Sequence, residues 1–367
     1  MIPAAAFARA LAGPAPPPEA DAEATVAAAL DHGIAGGLAA SGALEGWPEA
    51  VRAPLLAQAR NQALWELRHK ALLMPLLRSM TIAGVRHTLM KGTALAYGVY
   101  PTPAIRARGD SDLLVAAEDL TTARTVLRTA GFSCPVDDDA PPGARRQEPW
   151  ALTAPDGTRH GIDLHWRLSN NPAFAAVLGD AEALEEAVPL PALGLAARAL
   201  APASAVILAT LHRAGHAVAP YFVEDRIVDG EDRLVWLWDI DLQLRAMTAG
   251  EIETLAARSV ARGIGPLMAQ TLERTRALFG TPLPDDLLAR LSAGPEGPAM
   301  RFLARRTRLG RVLGNLASVP PRAMLPLLKS KALPPTAMLR RQMPELAHLP
   351  GPWLHIVRLS RFLSGRR

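Results

Sequence analysis

The spacing of hydrophobic residues predicts a long helix near the start of the chain. Between Pro48 and Ser79 these residues recur at steps of three and four, as one buried helix face requires. We assign to this face Leu55, Leu56, Ala59, Ala63, Leu64, Leu67, Ala71 and Met74. The preceding residues are rich in Ala, Gly and Pro, and the segment PAPPPEA is unsuited to a helix interior. We therefore expect a flexible start followed by helix.

Shorter hydrophobic runs then predict a mixed block of strands and helices. The expected elements are a strand at Val85–Met90, a helix at Thr93–Tyr100, a strand at Asp110–Val115, a helix at Leu120–Ala130, and a hairpin of strands at Trp150–Thr153 and His160–Trp166. Pro155-Asp156-Gly157 supplies the hairpin turn, since glycine accepts the backbone conformation that tight turns need. The polar segment 136–149 is predicted to be a loop.

Beyond residue 200 the pattern is helical throughout. Apolar helices are expected at Ala203–His216 and Leu234–Met247, and one or two more at Ile252–Phe279. Pro-rich segments interrupt the final stretch at 318–326 and 332–338. The expected division is a helical region with a flexible start at 1–78, a mixed core at 79–200, a helical domain at 201–300 and a basic, Pro-interrupted helical tail at 301–367. The expected fold class is α+β, with a small mixed sheet between N-terminal and C-terminal helical regions.

Composition narrows the class of protein. The chain has 367 residues, of which 49% are hydrophobic, enough to bury a substantial core. Its single cysteine, Cys134, excludes an intrachain disulfide and a zinc site built from cysteines. No segment reaches the roughly 18 uninterrupted apolar residues that a membrane span needs. The N-terminus lacks the basic start and apolar centre of a secretory signal, so we expect a cytoplasmic protein.

Positive charge is concentrated at the end of the chain. The net charge is +5, and only four of the basic residues are lysines, a bias that codon usage alone produces. From Arg301 onwards the single acidic residue is Glu345. Such a block either forms a solvated helical surface or attracts RNA, acidic lipid or an acidic partner. RNA is therefore a predicted partner of the tail, beside the simpler interpretation of a solvated surface.

Two aspartates at the start of one predicted strand carry the most distinctive chemistry. Asp110 and Asp112 are two residues apart, so on an extended strand their carboxylates lie on the same face. Two such carboxylates repel each other unless a cation lies between them, and Mg²⁺ prefers oxygen ligands of this kind. The same spacing recurs in the loop at Asp137 and Asp139. The pair is therefore either a metal site or a cap at an exposed strand end.

Residues upstream of the pair suit a nucleotide. Lys91, Gly92 and Thr93 stand where a strand ends and a helix starts. There the glycine admits a phosphate to the backbone amides, the threonine caps the helix and hydrogen-bonds an oxyanion, and the lysine adds charge. Lys91 is either a phosphate contact or a surface charge. Arg106 and Arg108 are predicted to clamp a triphosphate.

The later strand GIDLHW adds two polar groups. Asp163 is expected to supply a third carboxylate; the alternative is a buried aspartate that pairs with Arg106 or Arg108. His165 faces the same way as Asp163. It either orients a substrate or the base, or it is a core histidine bonded to a backbone carbonyl.

Two further polar pairs occur in the helical half. His212 and His216 have the i, i+4 spacing of a zinc pair, but no third ligand stands at a suitable spacing, so we expect packing. Asp239 and Asp241 do not share a helix face, because two residues span about 200°. One of them reaches the active site, or both cap helices or pair with arginines.

The segments LMKGTALAYGVYPTPAIRARGDSDLLV and GIDLHWRL resemble the uncharacterised nucleotidyltransferase family of the DNA polymerase beta-like superfamily. Members of that family carry a Lys-Gly near a strand end, an Arg before Gly-Asp-x-Asp, and an Asp-Leu-His-Trp strand. The resemblance spans about residues 50–250.

This resemblance implies a catalytic site. It implies that Asp110 and Asp112 bind two metal ions, Mg²⁺ or Mn²⁺, while Asp163 assists and acts as base. Gly92 and Thr93 would cradle the β- and γ-phosphates. The expected reaction is in-line attack on the α-phosphate of an NTP, which moves an NMP to a small molecule, a peptide or an RNA end and releases pyrophosphate. The alternative is a non-catalytic module that binds a nucleotide or partner, and clustering of the three carboxylates would favour the enzyme.

Overall fold

The structure is a computed structural model. It describes residues 4–135, 146–169, 171–218, 221–223, 226–228, 232–305, 307–319, 321, 324–325, 328, 333–334, 336, 339–340 and 343–363. Of the loop predicted at 136–149, residues 136–145 lie outside the described residues, and the prediction was wrong at 147–149, which belong to a strand that starts at Gln147. Half of the positions in the interruptions predicted at 318–326 and 332–338 also fall outside them.

Six strands form one mixed sheet beside the predicted site. They are β1 His87–Met90, β2 Asp110–Val115, β3 Gln147–Thr153, β4 Arg159–His165, β5 Val188–Pro189 and β6 Arg198–Ala199. Their order is β3-β4-β2-β1-β6-β5. β2 pairs antiparallel with β1 and parallel with β4, and β3 and β4 form the predicted hairpin, in which Gly157 has φ +84°. This mixed sheet with its flanking helices confirms the α+β fold class.

Helices precede, flank and follow the sheet. The first eight are α1 Ala4–Ala12, α2 Ala22–Asp31, α3 Ala35–Ala40, α4 Glu49–Ile82, α5 Lys91–Gly98, α6 Leu120–Thr129, α7 Pro172–Ala175 and α8 Asp180–Glu185. Then come α9 Pro202–Val218, α10 Leu234–Ala246, α11 Ala249–Ala261, α12 Gly265–Phe279, α13 Leu287–Ser292, α14 Pro298–Leu303, α15 Arg308–Leu316 and a last helix at Gly351–Leu363. Short 3₁₀ turns lie at Ala43–Gly46, Pro103–Ile105, Ala117–Asp119 and Pro344–Leu346. No helix in the described part of the chain is long and apolar enough to cross a bilayer.

Two local expectations need correction. The region beyond residue 200 is not helical throughout, because Tyr221–Val223 and Arg226–Val228 pair as antiparallel strands β7 and β8. These short segments are rich in aromatic and β-branched residues, which favour strands. The start of the chain also differs from the flexible segment expected, since α1 buries Phe7 completely. The Pro-rich segment after α1 is held by a hydrogen bond from Trp47 Nε1 to the carbonyl of Ala15, at 2.7 Å.

The long helix α4 lies where it was predicted, but it buries a different face. Its buried residues are Val51, Leu55, Gln62, Glu66, His69, Leu73, Leu76, Leu77 and Met80. Leu64 and Leu67, which we assigned to the buried face, are 54% and 69% exposed. The assigned face was therefore wrong over the middle of the helix. There the buried side chains are polar, because the protein surface opposite them is polar too.

The sheet is covered on both faces. On one face Leu113 and Ile162 pack with Leu77 of α4. On the other, Leu114 belongs to a smaller core with Leu208 of α9. Because side chains alternate along a strand, Asp110 and Asp112 share the face of Leu114, which is turned towards the helical half.

Candidate functional site

Strands β2 and β4 bring carboxylates from two distant segments side by side. The strands run parallel with Asp112 opposite Asp163 and Asp110 opposite Gly161. Residues in register share a face, so the three carboxylates project from the same side of the sheet. A Cβ at position 161 would lie 3.1 Å from the Asp110 Cβ, so glycine makes room for Asp110. The predicted same-face arrangement is confirmed, and the roles of these residues stay predictions.

Three side chains place possible metal ligands close together. One ligand atom each of Asp112, Asp163 and His165 lies within 4.8 Å of the other two. His165 Nε2 is 3.0 Å from Asp112 Oδ1, so this nitrogen contacts a carboxylate instead of a backbone carbonyl. Asp163 accepts a hydrogen bond from Gln147 Nε2 at 3.3 Å, in place of the arginine partner considered above. The expected set of three aspartates therefore differs at one position, because the close group contains His165 and not Asp110.

The chemistry of these donors fits a divalent cation at the carboxylates. Carboxylate oxygens suit Mg²⁺ and Mn²⁺, whereas imidazole suits later transition metals. Asp112 and Asp163 are therefore the residues that would hold Mg²⁺ or Mn²⁺. Asp110, on the same face, adds a third carboxylate to their surroundings.

A lysine supplies positive charge at this acidic group. Lys91 Nζ lies 2.6 Å from Asp112 Oδ1, and the lysine side chain is 24% exposed. Its backbone has φ +54°, in the left-handed region that residues with side chains rarely adopt. The structure thus gives Lys91 a carboxylate partner instead of a free surface position. Contact with a phosphate stays a prediction.

The carboxyl groups differ in pKa. Although part of Asp110 reaches solvent, desolvation and the charges of Asp112 and Asp163 raise the pKa of Asp110 to about 7. Desolvation also acts to raise the pKa of Asp112, but Lys91 and His165 outweigh it and hold that pKa below its usual value. Desolvation and the Asp112 charge raise the pKa of Asp163. The group therefore combines one firmly ionised carboxylate with two that hold protons more tightly than usual.

The residues expected to contact phosphates lie at the start of α5. Gly92 is the second residue of that helix. Thr93 is 1% exposed, and its Oγ1 lies 2.7 Å from Ser111 Oγ and accepts from Arg108 Nε at 3.0 Å. Its predicted role as helix cap was wrong, because the helix begins two residues earlier and Met90 occupies the cap position. Phosphate binding by Gly92 and Thr93 through backbone amides stays a prediction.

Both arginines before the acidic pair have partners inside the protein. Arg106 donates from Nε and Nη2 to the two carboxylate oxygens of Asp239, each at 2.7 Å. Arg108 forms an ion pair with Glu66 in which both side chains are nearly buried. Separating such a pair leaves a buried charge alone, which costs about 3–5 kcal/mol. The geometry therefore gives no support to the predicted triphosphate clamp.

A hydrogen-bond network that the sequence analysis missed lies behind β2. Ser111 stands between the two aspartates but faces the other way, and its Oγ is 2.7 Å from His69 Nε2. Gln62 Nε2 donates to the backbone carbonyl of Arg108 at 3.2 Å. Gln62, Glu66 and His69 recur at helical spacing along α4. That polar periodicity is the signal that would have found the network.

Polar residues of the helical half are paired or packed. The His212 and His216 rings meet edge to face with centroids 4.4 Å apart, and both contact Trp236. This agrees with the packing role expected for them. Asp239 and Asp241 each accept a hydrogen bond from an arginine, at 2.7 and 2.8 Å.

Comparison with known families agrees with the motifs around the acidic group. Residues 18–280, more than half of the chain, match a family model described as uncharacterised nucleotidyltransferase. The chain belongs to this family. The resemblance carried by the segments around Asp110 and Asp163 is thereby confirmed. Among curated proteins, none matches the chain.

Solved structures similar to this family member include two chains of low sequence identity. An antigenic nucleotidyltransferase-like protein from Paracoccidioides brasiliensis is 14% identical, with 63% of this chain and 95% of that chain covered and a TM-score of 0.37. JHP933 from Helicobacter pylori is 13% identical, with 65% and 90% covered and a TM-score of 0.32. Likeness at this level carries no conclusion about the site.

Proposed function

We propose that this family member is a metal-dependent nucleotidyltransferase. It would move an NMP from an NTP to an acceptor and release pyrophosphate. The observation that carries the proposal is the register that sets Asp112 opposite Asp163, with Asp110 on the same face. Like charges this close are unfavourable without a cation, which supports Mg²⁺ or Mn²⁺ as the cofactor. Family membership supports the transferase class.

In this proposal the acidic residues have separate tasks. Asp112, ionised beside Lys91 and His165, holds the cation together with Asp163, and Asp110 adds negative charge. When bound, the cation supplies charge neutralisation at the phosphates and the leaving pyrophosphate. Asp163, whose pKa is raised, takes the proton of the acceptor hydroxyl. The acceptor oxygen bonds to the α-phosphorus as the bond from that phosphorus to the pyrophosphate oxygen breaks.

The test is transfer of label. Purified protein is incubated with each NTP labelled at its α-phosphate, with Mg²⁺ or Mn²⁺ and a cell extract, and a labelled acceptor is expected. We expect Asp112→Asn to lower transfer by about 10³-fold or more, since a metal site contributes several kcal/mol of transition-state stabilisation. Asp156→Asn is the matched control, because it removes the same charge at the exposed hairpin turn. Equal transfer by Asp112→Asn and wild type contradicts the proposal.

A non-catalytic nucleotide-binding module is the second candidate, and one observation favours it. The Lys91 ammonium already stands 2.6 Å from an Asp112 oxygen, where a built-in cation can take the place of a metal ion. Under this candidate NTPs bind, but no labelled acceptor forms with any of them. Equilibrium binding of the four NTPs, measured beside the transfer assay, separates the two functions.

Three classes of acceptor suit this proposal: a small molecule, a peptide and an RNA end. Residues 301–367 hold 14 basic residues and one acidic residue, whereas the rest of the chain holds 26 basic and 34 acidic residues. This asymmetry supports a polyanionic partner for the tail. RNA binding there stays a prediction, and its affinity should fall steeply with salt.

A further inference from the structure

A cavity of about 380 Å³ adjoins the acidic group. Its walls come from α5, the β5–β6 hairpin, α9 and α10. Lys91 and Met90 both line it, and both neighbour Asp112, the lysine through its ion pair and the methionine through strand register. A volume of this order accommodates a small-molecule ligand. A molecule held here would therefore lie next to the proposed site of reaction.

The cavity wall is mostly apolar. Leu95, Leu200 and Leu208 contribute to it, together with alanines and prolines. Its charged side chains are already bonded within the protein. Their partners are Asp112 for Lys91, Asp239 for Arg106, and Thr248 for Glu251. An anionic ligand would therefore enter an apolar space without meeting an unpaired cation among the described residues, which is unfavourable.

One polar side chain of the wall keeps its polar atoms away from the cavity. Gln243 of α10 is 4% exposed, and its Nε2 donates to the backbone carbonyl of Asp239 at 3.0 Å. That bond fixes the orientation of the side-chain amide, because a flipped amide would set one carbonyl oxygen against another. Gln243 Oε1 is buried and accepts no hydrogen bond from the described residues. Because this oxygen is enclosed by protein, it offers no hydrogen bond to a molecule in the cavity, which leaves the apolar wall as the surface that a ligand would contact.

We propose that this cavity binds a neutral, mostly apolar part of a substrate. The inference rests on the proposed function, because it concerns the substrates of the same site. Two substrates have parts with this chemistry, an uncharged acceptor molecule and the nucleobase of the NTP. The triphosphate and the backbone of an RNA end do not have it.

The direct test uses small probes without nucleotide. Benzyl alcohol, toluene and benzoate have similar sizes but differ in donor and charge, and their binding to the full chain is followed by ligand-detected NMR. Both neutral probes should bind saturably, and benzoate should not. Benzoate binding as tightly as the neutral probes overturns the proposal, as does the absence of saturable binding of both neutral probes.

Filling the cavity is the complementary test. Ala205 and Ala209 of α9 line it and are only partly buried, so Ala205→Phe or Ala209→Phe should remove binding of both neutral probes. Leu309→Phe, at a side chain that is 61% exposed, is the control. Thermal melting identifies any variant that fails to fold, and the other variant then decides. Unchanged probe binding in a folded variant also overturns the proposal.

The same variants distinguish the two substrates. If the nucleobase occupies the cavity, Ala205→Phe weakens binding of the NTPs. If the acceptor occupies it, NTP binding is unchanged and transfer to the acceptor is lost. If neither changes, the cavity is not a substrate site. Because the probe titrations contain no nucleotide, they give the same answer whether or not the chain transfers an NMP.

Discussion

The two faces of β2 differ sharply, although their residues alternate along one strand. On one face Asp110 and Asp112 repel each other, and their pKa values are shifted in opposite directions. On the other face the Ser111 hydroxyl lies 2.7 Å from both Thr93 Oγ1 and His69 Nε2. On the first face, like charges lie close together, which is unfavourable. On the second face, the serine hydroxyl has two hydrogen-bonding partners.

This difference indicates how the chain tolerates a strained acidic site. The backbone just before β2 is held by Gln62, which donates to the carbonyl of Arg108, and by the ion pair of Arg108 with Glu66. These contacts position the strand without touching the carboxylates. We infer that the α4 side of the strand provides stability, whereas the opposite side carries the acidic group of the proposed site. Four measurements test this division, and the transfer assay of Asp112→Asn has the largest expected effect.

The next largest effect is expected on the supporting side. Glu66→Ala leaves the nearly buried Arg108 charge without its partner, so the free energy of unfolding should fall by about 3–5 kcal/mol. Urea denaturation measures this change. The control is Glu49→Ala, which removes an exposed ion pair with Arg52 and should change stability by less than about 1 kcal/mol. Asp112→Asn should lose less stability, because it relieves repulsion with Asp110 and Asp163 while its partner Lys91 is 24% exposed. A loss as large as that of Glu66→Ala would contradict the division.

A smaller effect is expected from the built-in cation. Lys91→Met removes a positive charge 2.6 Å from an Asp112 oxygen, so Mn²⁺ should bind more tightly, by about tenfold. Electron paramagnetic resonance of free Mn²⁺ measures the affinity without any turnover. Lys70→Met, which removes a lysine of α4, should leave the affinity unchanged. If Lys91→Met also leaves it unchanged, Asp112 is not the metal ligand.

The smallest effect is expected from pH. Because the pKa of Asp110 is raised from 3.8 to about 7, the folded chain holds this proton more tightly than the unfolded chain. The resulting stability is present below pH 3.8 and is lost as the pH rises towards 7. The lowered pKa of Asp112 has the opposite sign and contributes stability that is lost only in stronger acid. The Tm of wild type should therefore fall relative to Asp110→Asn between about pH 4 and pH 7; a constant difference would contradict the raised pKa.

Sequence patterns predicted most of the sheet and the acidic face. The strand at Asp110–Val115 has the predicted bounds, and the hairpin that carries Asp163 was placed to within a few residues. The hydrophobic pattern gave a wrong buried face for α4, where Leu64 and Leu67 are exposed and Glu66 is buried. Hydropathy assigns a glutamate to solvent, and here an arginine 42 residues away reverses that assignment.

The same dependence on residues far apart in the chain explains why the prediction for two arginines was wrong. Arg106 and Arg108 were predicted to clamp a phosphate because they precede the acidic pair. Arg106 instead pairs with Asp239, which lies 133 residues further along the chain. A guanidinium binds a carboxylate and a phosphate by the same geometry, so residue type alone does not select between them.

The local sequence was enough to place Asp110 and Asp112 on one face, because the alternation of side chains along a strand is a property of the backbone. It was also enough to predict the turn at Asp156-Gly157 and the approximate length of α4. The folded structure was needed to show that Asp163 and His165 lie beside Asp112, that Asp110 lies outside this close group, and which cations each carboxylate contacts. Strand register and the pairing of buried charges depend on contacts between residues far apart in the chain, and no local spacing encodes them.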